Sequence, residues 1–498
     1  MVPLFYFAYF HNKHKKGIIW VDNEQKTEIK ELEMEEISPV TVEKKLFKSK
    51  AFIISSLIVL ILIIGSLYFY FVKGSKEQTM EIFKTICTNL ASVEVNDKWG
   101  YINDTGEELI APKFDRAEDF QDGIAKVNIG GKLDEYQFTG GKWGFINIKG
   151  QMVINAQFEV VSDFSEDIAS YKLDDKWGYI NKVGKTIIPP TYDETTDFHE
   201  GVAMVKIGDV YGVINNTGKM IVNPEFQEAF GFWEGLSKVK KEDKWGYLNT
   251  DGSFAIKPIY DDLGGFYDGL AFVNLGGVYD EDEYGVVGGK WGFIDNTGKI
   301  AVNLQFDEVK DFQNGLAAVK LSDKWGYIND KGDIVINPQF DNADMFNEGL
   351  AAVEINEKWA FIDSKGNIAI NPQFDDTESF DRSLYGAMQF HDGLAAVKQG
   401  DQWGYIDKKG KYVVLPIYDK AERFYNGYAI VTTDDRKGYM DTKGKIIINP
   451  QFDTASQFYG KLTEVSVGES FGFIDKKGKY IVNPIYSNTG SFCRVEYL

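Results

Sequence analysis

A stretch of 34 residues, KWGYINDKGDIVINPQFDNADMFNEGLAAVEINE (324–357), decides the fold because it recurs along most of the chain. With its Trp325 as position zero, Asn or Asp stands at position four, Gly at seven, Pro at 13 and aromatic residues at 15 and 21. Seven of the ten intervals between units are 34 residues and the others are 44, 46 and 44, so eleven units tile about 93–498. The residues at position zero are Trp99, Trp143, Trp177, Tyr211, Trp245, Trp291, Trp325, Trp359, Trp403, Lys437 and Phe471.

Each unit predicts short strands joined by tight turns. Asn or Asp at position four and Gly at position seven fit the corners of a type I turn, and the alternating or β-branched flanks make it a hairpin. Proline at position 13 has no amide hydrogen for a ladder, so we expect it to end the second strand. The Gly-Leu-Ala-Ala-Val run of 349–353 predicts a third strand. The unit is therefore a three-stranded meander with an irregular twelve-residue corner, and its fixed Pro and Gly exclude helix pairs of the same period.

The fold class that follows is an all-β repeat protein of eleven units, each of about 34 residues and three strands. We expect an open solenoid or superhelix, because eleven units exceed the usual four to eight propeller blades and three strands fall short of four. The alternative is one or two β-propellers. Residues 91–95 resemble a third strand before the first Trp, and the last unit stops at Leu498 with its own third strand truncated, so the two ends could pair.

The pattern Lys-Trp-Gly-Tyr-Ile-Asn … Gly … Pro-x-Phe-Asp … Phe-x-x-Gly-Leu-Ala-x-Val resembles the bacterial WG (KWG) repeat over about 400 of 498 residues. The resemblance implies a bacterial β-repeat protein, often membrane-anchored or secreted, with no established common ligand or activity. Three units depart from the family's Trp, at Tyr211, Lys437 and Phe471.

An apolar segment, AFIISSLIVLILIIGSLYFYFV (51–72), has no charge and no proline. At about 1.5 Å per residue it makes a helix of roughly 33 Å, enough to cross a bilayer. Lysines are denser before this segment than after it, so the N-terminus should lie inside. The sequence therefore predicts a cytoplasmic tether (1–50), a transmembrane helix (51–72), a linker for which a helix is one option (73–92) and an extracytoplasmic repeat domain (93–498) on a single-pass cell-membrane protein.

Composition restricts the function. The net charge is −21, and residues 73–498 alone carry −22, so nucleic acid is not an expected partner. No catalytic constellation emerges; His199 and His391 fall in corner loops, where we expect them to be solvated, so no enzymatic activity, cofactor or metal is predicted. Asp280 and Asp282 resemble the start of a calcium loop, but the later ligand positions hold Tyr284 and Trp291.

The recurrent rings have two interpretations. They could form a ladder for sugars or extended peptides, or they could be core, with each Trp packed against the next unit's Phe at position 21. We favour the core because position zero also accepts Tyr, Phe and Lys. Insertions at 129–144 and 275–292 predict projecting hairpins, which often mark a binding face. A third insertion (381–390) lies in a corner, and its Phe390 restores position 21.

Two functions remain open at this point. The first is a membrane-anchored binding module that engages a protein or a cell-envelope polysaccharide through a repeated β surface, with the binding residues unknown. The second is a structural spacer or scaffold with no ligand of its own. The chain's two cysteines, Cys87 and Cys493, would meet only if the repeats form a compact structure.

Overall fold

The computed structural model describes residues 8–12, 15–19, 83–87, 90–134, 137–281, 285–375 and 389–497. The chain divides into two units, residues 1–81 and 82–498. In the first, strands Ala8–Asn12 and Lys15–Ile19 form an antiparallel hairpin. The predicted membrane span (51–72) lies outside the described residues. The described part of the chain contains no helix that is long and apolar enough to cross a bilayer.

The second unit consists of antiparallel sheets, here called blades, whose strands are named a, b, c and d. In the repeat numbering, strand a covers positions 17–18, strand b begins at 25, strand c contains the Trp-Gly pair and strand d carries the proline. The three-stranded prediction was wrong, because the corner contains strand a, a two-residue strand with no sequence pattern of its own. Blade 9 has strands b, c and d within the described residues.

From blade 1 to blade 11, the a strands (blade 9 omitted) are Asn488–Thr489, Arg116–Ala117, Val160–Val161, Glu194–Thr195, Glu228–Ala229, Asp262–Leu263, Glu308–Val309, Asn342–Ala343, Lys420–Ala421 and Thr454–Ala455. The b strands are Leu90–Val95, Ile124–Asp134, Ile168–Leu173, Val202–Ile207, Leu236–Lys241, Leu270–Asp280, Leu316–Leu321, Leu350–Ile355, Leu394–Gln399, Tyr428–Thr433 and Leu462–Val467. The c strands are Lys98–Asn103, Gln137–Asn147, Lys176–Asn181, Val210–Asn215, Lys244–Asn249, Gly285–Asp295, Lys324–Asn329, Lys358–Asp363, Gln402–Asp407, Arg436–Asp441 and Ser470–Asp475. The d strands are Glu108–Phe114, Met152–Phe158, Thr186–Tyr192, Met220–Phe226, Phe254–Tyr260, Ile300–Phe306, Ile334–Phe340, Ile368–Phe374, Tyr412–Tyr418, Ile446–Phe452 and Tyr480–Tyr486.

Blade 1 closes the ring, because its strand a comes from the C-terminal end of the chain and its other strands from the N-terminal end of the repeats. Val93 pairs with Thr489 and Glu94 with Asn488. The amide of Gly490 donates to the carbonyl of Ser92 at 2.8 Å. The expectation of an open solenoid was therefore wrong, and the alternative, a β-propeller, is confirmed as one ring of eleven blades. Closure pairs the backbone groups that an open array would leave unpaired at its two ends.

A second ladder follows the closure. Strand Phe83–Cys87 pairs antiparallel with strand Cys493–Tyr497. Part of the segment 73–92, for which a helix was one option, is thus a strand, and the repeats begin at Leu90, three residues before the predicted boundary.

The Trp-Gly pair is explained by an irregularity between strands c and d. Trp325 pairs with Phe340 and Tyr327 with Ile336, so four steps of strand d oppose two steps of strand c. Strand d bends toward Gly326, where a Cβ would lie 2.5 Å from the carbonyl oxygen of Ile336. Pro338 lies inside this irregular stretch of strand d. The expectation that proline ends the strand was wrong, because a bulge leaves this position without a ladder bond to donate.

The predicted turn between strands c and d is confirmed. The amide of Gly332 donates to the carbonyl of Asn329 at 2.9 Å, and the Asn329 Oδ1 accepts from the amides of Lys331 and Asp333 at 3.0 and 2.9 Å. Gly332 has a φ of 79°, a conformation that other residues adopt at a cost. The turn is therefore fixed locally, by residues four apart in sequence.

Hydrophobic cores lie between successive blades. One cluster joins Trp325, Tyr327 and Ile336 of blade 7 to Phe346 and Val353 of blade 8, all nearly inaccessible to solvent. The ring that contacts Phe346 is that of Tyr327, with centroids 4.9 Å apart, and the Tyr327 hydroxyl donates to the Asp344 carbonyl at 2.7 Å. The prediction that the Trp of the repeat is core is confirmed for this cluster, but the Phe at position 21 belongs to the same 34-residue unit and not to the next one, and the ring pair is made by position two. The same pairing recurs in Tyr101–Phe120, Phe145–Phe164, Tyr179–Phe198, Tyr247–Phe266, Phe293–Phe312, Tyr405–Phe424, Tyr439–Phe458 and Phe473–Phe492.

A repeated ion pair fixes the step from one blade to the next. Lys290, which precedes the Trp slot, contacts Asp307 at 2.6 Å, and the other Asp307 oxygen accepts from the amide of Ser322 at 2.8 Å. The Lys290 hydrogen bond and the Ser322 amide hold the pKa of the Asp307 carboxyl below its usual value. The lysine of Lys-Trp-Gly and the aspartate that follows position 15 thus have a structural role.

Candidate functional site

The ring has two faces that differ in what they expose. The a–b loops and c–d turns lie at one end of the strands, here called the loop face, and the b–c turns lie at the other, here called the hairpin face. Lys182 of a c–d turn contacts Asp167 of an a–b loop at 2.7 Å. Lys408 contacts Glu348 at 2.9 Å in the same manner. The loop face thus brings a–b loops and c–d turns into contact with each other.

The hairpin face carries the two predicted projections, which are confirmed. In blades 2 and 6, strands b and c extend to eleven residues each. Asn128 fastens the first hairpin: its Oδ1 accepts from the amide of Gly131 at 3.1 Å and its Nδ2 donates to the carbonyl of Gly140 at 3.3 Å. Near the tips, Leu133 is 69% exposed and Val278 is 70% exposed.

On the loop face, five pairs of neighbouring blades are joined by a carboxylate at position 23 that accepts from backbone amides at positions 23 and 24 of the next blade. The carboxylate of Glu166 accepts from the amides of Glu200 and Gly201 at 2.6 and 2.9 Å. The same bond recurs from Glu200 to Gly235, Asp268 to Gly315, Glu348 to Gly393 and Asp392 to Gly427. These bonds tie the a–b loops of neighbouring blades to each other.

The two histidines of the repeats lie in these loops and are partly buried, so the expectation that they are solvated was wrong. The Nε2 of His391 lies 3.4 Å from the Nδ2 of Asn347 in the preceding blade. Burial lowers the pKa of His391, with a further lowering from Arg423. His199 lies against Trp233, with ring centroids 6.1 Å apart. The loops bury both rings because adjacent blades converge at position 22.

An exposed aromatic surface lies on the a–b loop of blade 5. This segment, Phe230–Gly231–Phe232–Trp233, is here called the aromatic loop. Phe232 is buried as position 21, whereas Phe230 is 55% exposed and Trp233 is 48% exposed. Gly231 carries no side chain between them, so the loop presents two large rings to solvent on a fixed backbone. The backbone is held by the reciprocal bonds between Trp233 and Leu236 at 2.8 and 3.0 Å.

Phe230 of the aromatic loop also lies beside Trp245 of strand c, and two lysines lie against the Trp245 ring. Phe230 lies 6.0 Å from the indole of Trp245 between ring centroids. The Nζ atoms of Lys238 and Lys240 lie 4.4 and 5.4 Å from the Trp245 centroid. Lys238 also donates to the carbonyl of Leu263 at 2.7 Å, so its ammonium is held in place. Both ammonium groups are ion-paired, Lys238 with Asp262 at 3.2 Å and Lys240 with Glu228 at 2.8 Å, so they hold the Trp245 ring within a balanced set of charges.

One buried acid is the most perturbed carboxyl of the described residues. Burial raises the pKa of Asp311, in the a–b loop of blade 7, to about 7. Its Oδ1 and the Oε1 of Gln313 are buried without a hydrogen-bond partner. No group of three His, Cys, Asp or Glu side chains among the described residues is arranged to hold a metal ion. Asp282, from the calcium-like segment, lies outside the described residues.

The decisive comparison concerns the repeat. The WG containing repeat family matches this chain eleven times between residues 99 and 494. The chain belongs to the WG containing repeat family. The matched segments are 99–132, 143–177, 177–211, 211–245, 245–279, 291–325, 325–359, 359–389, 403–436, 438–469 and 471–494.

Solved structures resemble this WG repeat protein only distantly. A crystal structure of the eukaryotic initiation factor is 10% identical, with a TM-score of 0.33, and the match covers 57% of this chain and 86% of that one. AztD from Citrobacter koseri is 11% identical, with a TM-score of 0.28, covering 73% of this chain and 93% of that one. No curated protein matches. At these scores the likenesses carry no argument about function.

Sequence reasoning missed the aromatic loop. Its signal was present, since Trp233 is a tryptophan of the WG repeat region that does not occupy the repeat slot. Phe390, in contrast, was placed correctly at position 21: it is buried and its ring centroid lies 5.0 Å from that of Phe361. The rest of the third insertion, 381–388, lies outside the described residues.

Proposed function

We propose that this WG repeat protein is a non-enzymatic binding module, anchored by residues 51–72 with its repeats outside the cytoplasm, that engages a protein or a cell-envelope polysaccharide through the aromatic loop. The observation that carries the proposal is the half exposure of Phe230 and Trp233. Large rings on a rigid loop give up little conformational entropy when a ligand covers them, which makes them effective binding residues.

The surroundings of the loop support a polar ligand with apolar faces. A sugar ring or an extended peptide can stack on an aromatic face while its polar groups bond to nearby side chains. His199 supplies such a group beside Trp233. The ammonium groups of Lys238 and Lys240 lie beside Trp245 and are ion-paired with Asp262 and Glu228. A strongly anionic partner such as nucleic acid is disfavoured by the net charge of the domain.

Ring closure weighs against the alternative of a spacer. A spacer gains reach with every added repeat, but here Val93 and Thr489 pair, so the first and last units are neighbours. The form of the alternative that remains is a scaffold that acts through its whole rim and has no preferred surface. The test below addresses it.

The test is a binding assay with the full chain in detergent micelles. Extracted cell-envelope polysaccharides, a glycan array and candidate surface proteins are screened, and affinities are then measured for a Phe230→Ser/Trp233→Ser variant. We expect a loss of at least about tenfold, the size of one well-buried aromatic contact. The matched control is Leu133→Ser/Val278→Ser, which removes two apolar side chains of the hairpin face that are more exposed than Phe230 and Trp233. If the control loses affinity and the aromatic-loop variant does not, the binding surface has been assigned to the wrong face.

A separate experiment tests the placement of the repeats. Protease added to intact cells, after removal of any wall that blocks access, should degrade the repeats and spare residues 1–50. Protection of the repeats until the cells are lysed would place them inside and reverse the predicted orientation.

A further inference from the structure

The a–b loop of blade 1 is divided between two distant parts of the chain. Its strand a, Asn488–Thr489, comes from the C-terminal end, and its strand b begins at Leu90. Only two residue pairs join these strands across the closure. No peptide bond joins blade 11 to strand b of blade 1, so strand ladders and the core between these two blades hold the ring together at this point.

The five-residue ladder beyond the closure places the chain's two cysteines opposite each other. Cys87 and Cys493 are direct Cα partners in the antiparallel pairing of Phe83–Cys87 with Cys493–Tyr497. Directly opposed Cα atoms in such a ladder lie about 4.5 to 5.5 Å apart. A disulfide bond requires a Cα separation of about 4.4 to 6.8 Å. The backbone register thus brings two residues 406 positions apart in sequence into the range of a disulfide.

The repeat numbering leads to the same juxtaposition by an independent route. Counting forward from Phe471, Cys493 occupies position 22. Leu90 pairs with Asn103 in the same way as Ile124, at position 25, pairs with Asn147. Leu90 therefore also occupies position 25, and Cys87, three residues earlier, occupies position 22. An uninterrupted loop has one residue at position 22. Where the chain is divided, each end carries a cysteine at that position, and no other cysteine exists in the sequence.

We propose that Cys87 and Cys493 form a disulfide that locks the propeller ring shut. The bond fastens the N-terminal side of the repeats, which continues toward residues 51–72, to the C-terminal end. Opening of the two-residue closure would then no longer separate the first and last blades. A covalent bond is useful at this point because no peptide bond connects the first and last blades, which can separate there when non-covalent contacts are lost.

The chemistry is thiol–disulfide exchange with a disulfide oxidant, which is oxidised glutathione in the purified system and a disulfide-bearing oxidoreductase in an oxidising compartment. One cysteine thiolate attacks the oxidant, forming a mixed disulfide and releasing one thiolate. The second cysteine thiolate attacks the protein sulfur of that mixed disulfide and releases the other. The two protein thiols lose two protons and two electrons in total, and the oxidant is reduced to two thiols.

The experiment uses the purified full chain, first reduced and then equilibrated with a glutathione redox buffer. Proteolysis without reduction followed by mass spectrometry should show one peptide pair joined through Cys87 and Cys493. In urea unfolding, the oxidised chain should have an equilibrium unfolding constant about 30-fold or more below that of the reduced chain, the range typical of a native disulfide. The matched control is Cys493→Ser/Val495→Cys, which moves the thiol two residues along the same strand and should form the bond at least about tenfold more slowly.

Three results would overturn the proposal. They are two free thiols in the native chain under oxidising buffer, intermolecular dimers in place of the internal bond, and equal rates for the native and the shifted cysteine. The state in cells is a separate measurement, made by alkylating thiols before lysis. A chain that forms the bond when purified but is reduced in cells would contradict the extracytoplasmic placement and leave the disulfide itself established.

Discussion

Replacing Trp325 with alanine tests whether the Trp of the repeat is core. The indole is 6% exposed and lies in the cluster that joins blades 7 and 8. Removing roughly 150 Å² of buried apolar surface at about 25 cal/mol per Å² costs about 4 kcal/mol, within the range of about 3 to 5 kcal/mol found for large aromatic-to-alanine changes. The change should therefore destabilise two blades.

Hydrogen exchange followed by peptide is the assay, because it locates the damage. Protection should fall in blades 7 and 8, residues 308–374, and should fade in blades farther around the ring, since repeats couple mainly to their neighbours. The chain supplies a matched control: position zero of blade 10 is Lys437, whose Nζ is 3.9 Å from Glu422, and Lys437→Ala should cost less than about 1 kcal/mol. Unchanged exchange in blades 7 and 8 after Trp325→Ala would refute the core assignment and make a ligand-binding ladder of rings the better interpretation.

Three further predictions concern the turn, the tyrosine bond and the buried acid. Gly332→Val should lower the unfolding free energy in urea by about 1 to 3 kcal/mol, because φ at Gly332 is 79° and a Cβ would lie 3.1 Å from a Val302 methyl. Asn296→Val, off the fixed turn positions, should cost less, and equal costs would contradict the turn assignment. Tyr327→Phe should lower the unfolding free energy by about 1 to 2 kcal/mol through loss of the hydrogen bond to the Asp344 carbonyl. Tyr327→Ala should cost more because the ring contact with Phe346 is lost too, and a neutral Tyr327→Phe would mean that the hydrogen bond contributes nothing. Because burial raises the pKa of Asp311 to about 7, its folded form favours the proton, so the stability it contributes is complete below the unfolded pKa and is lost as the pH rises through about 7. Unfolding free energies of the native chain and Asp311→Asn, compared from pH 4 to 8, should diverge in that window with the variant more stable at the upper end, and parallel curves would contradict the assignment.

Much of each blade could be predicted from the sequence because its determinants are local. Asn329 and Gly332 fix a turn through bonds that span four residues, and the alternating flanks fix the strands on either side. The hairpins of blades 2 and 6 were likewise visible, since an insertion between two strands that already pair extends the pairing. The number of blades followed from counting a period.

What the sequence left open depends on contacts between residues far apart in the chain. Strand a has two residues, too few for any periodic pattern, and it exists only because the b strand beside it supplies hydrogen-bond partners. The exposure of Phe230 and Trp233 depends on which residues the preceding blade places against their loop.

Ring closure is the clearest case. The sequence by itself determined eleven similar units, but whether they make an open array or a ring depends on the rotation between neighbouring blades. That rotation is set by how the inter-blade cores pack, and small differences accumulate over eleven steps. Only the tertiary structure shows that the sum brings Asn488–Thr489 beside Leu90–Val95, where backbone groups 393 residues apart can bond because the last blade has come round to the first.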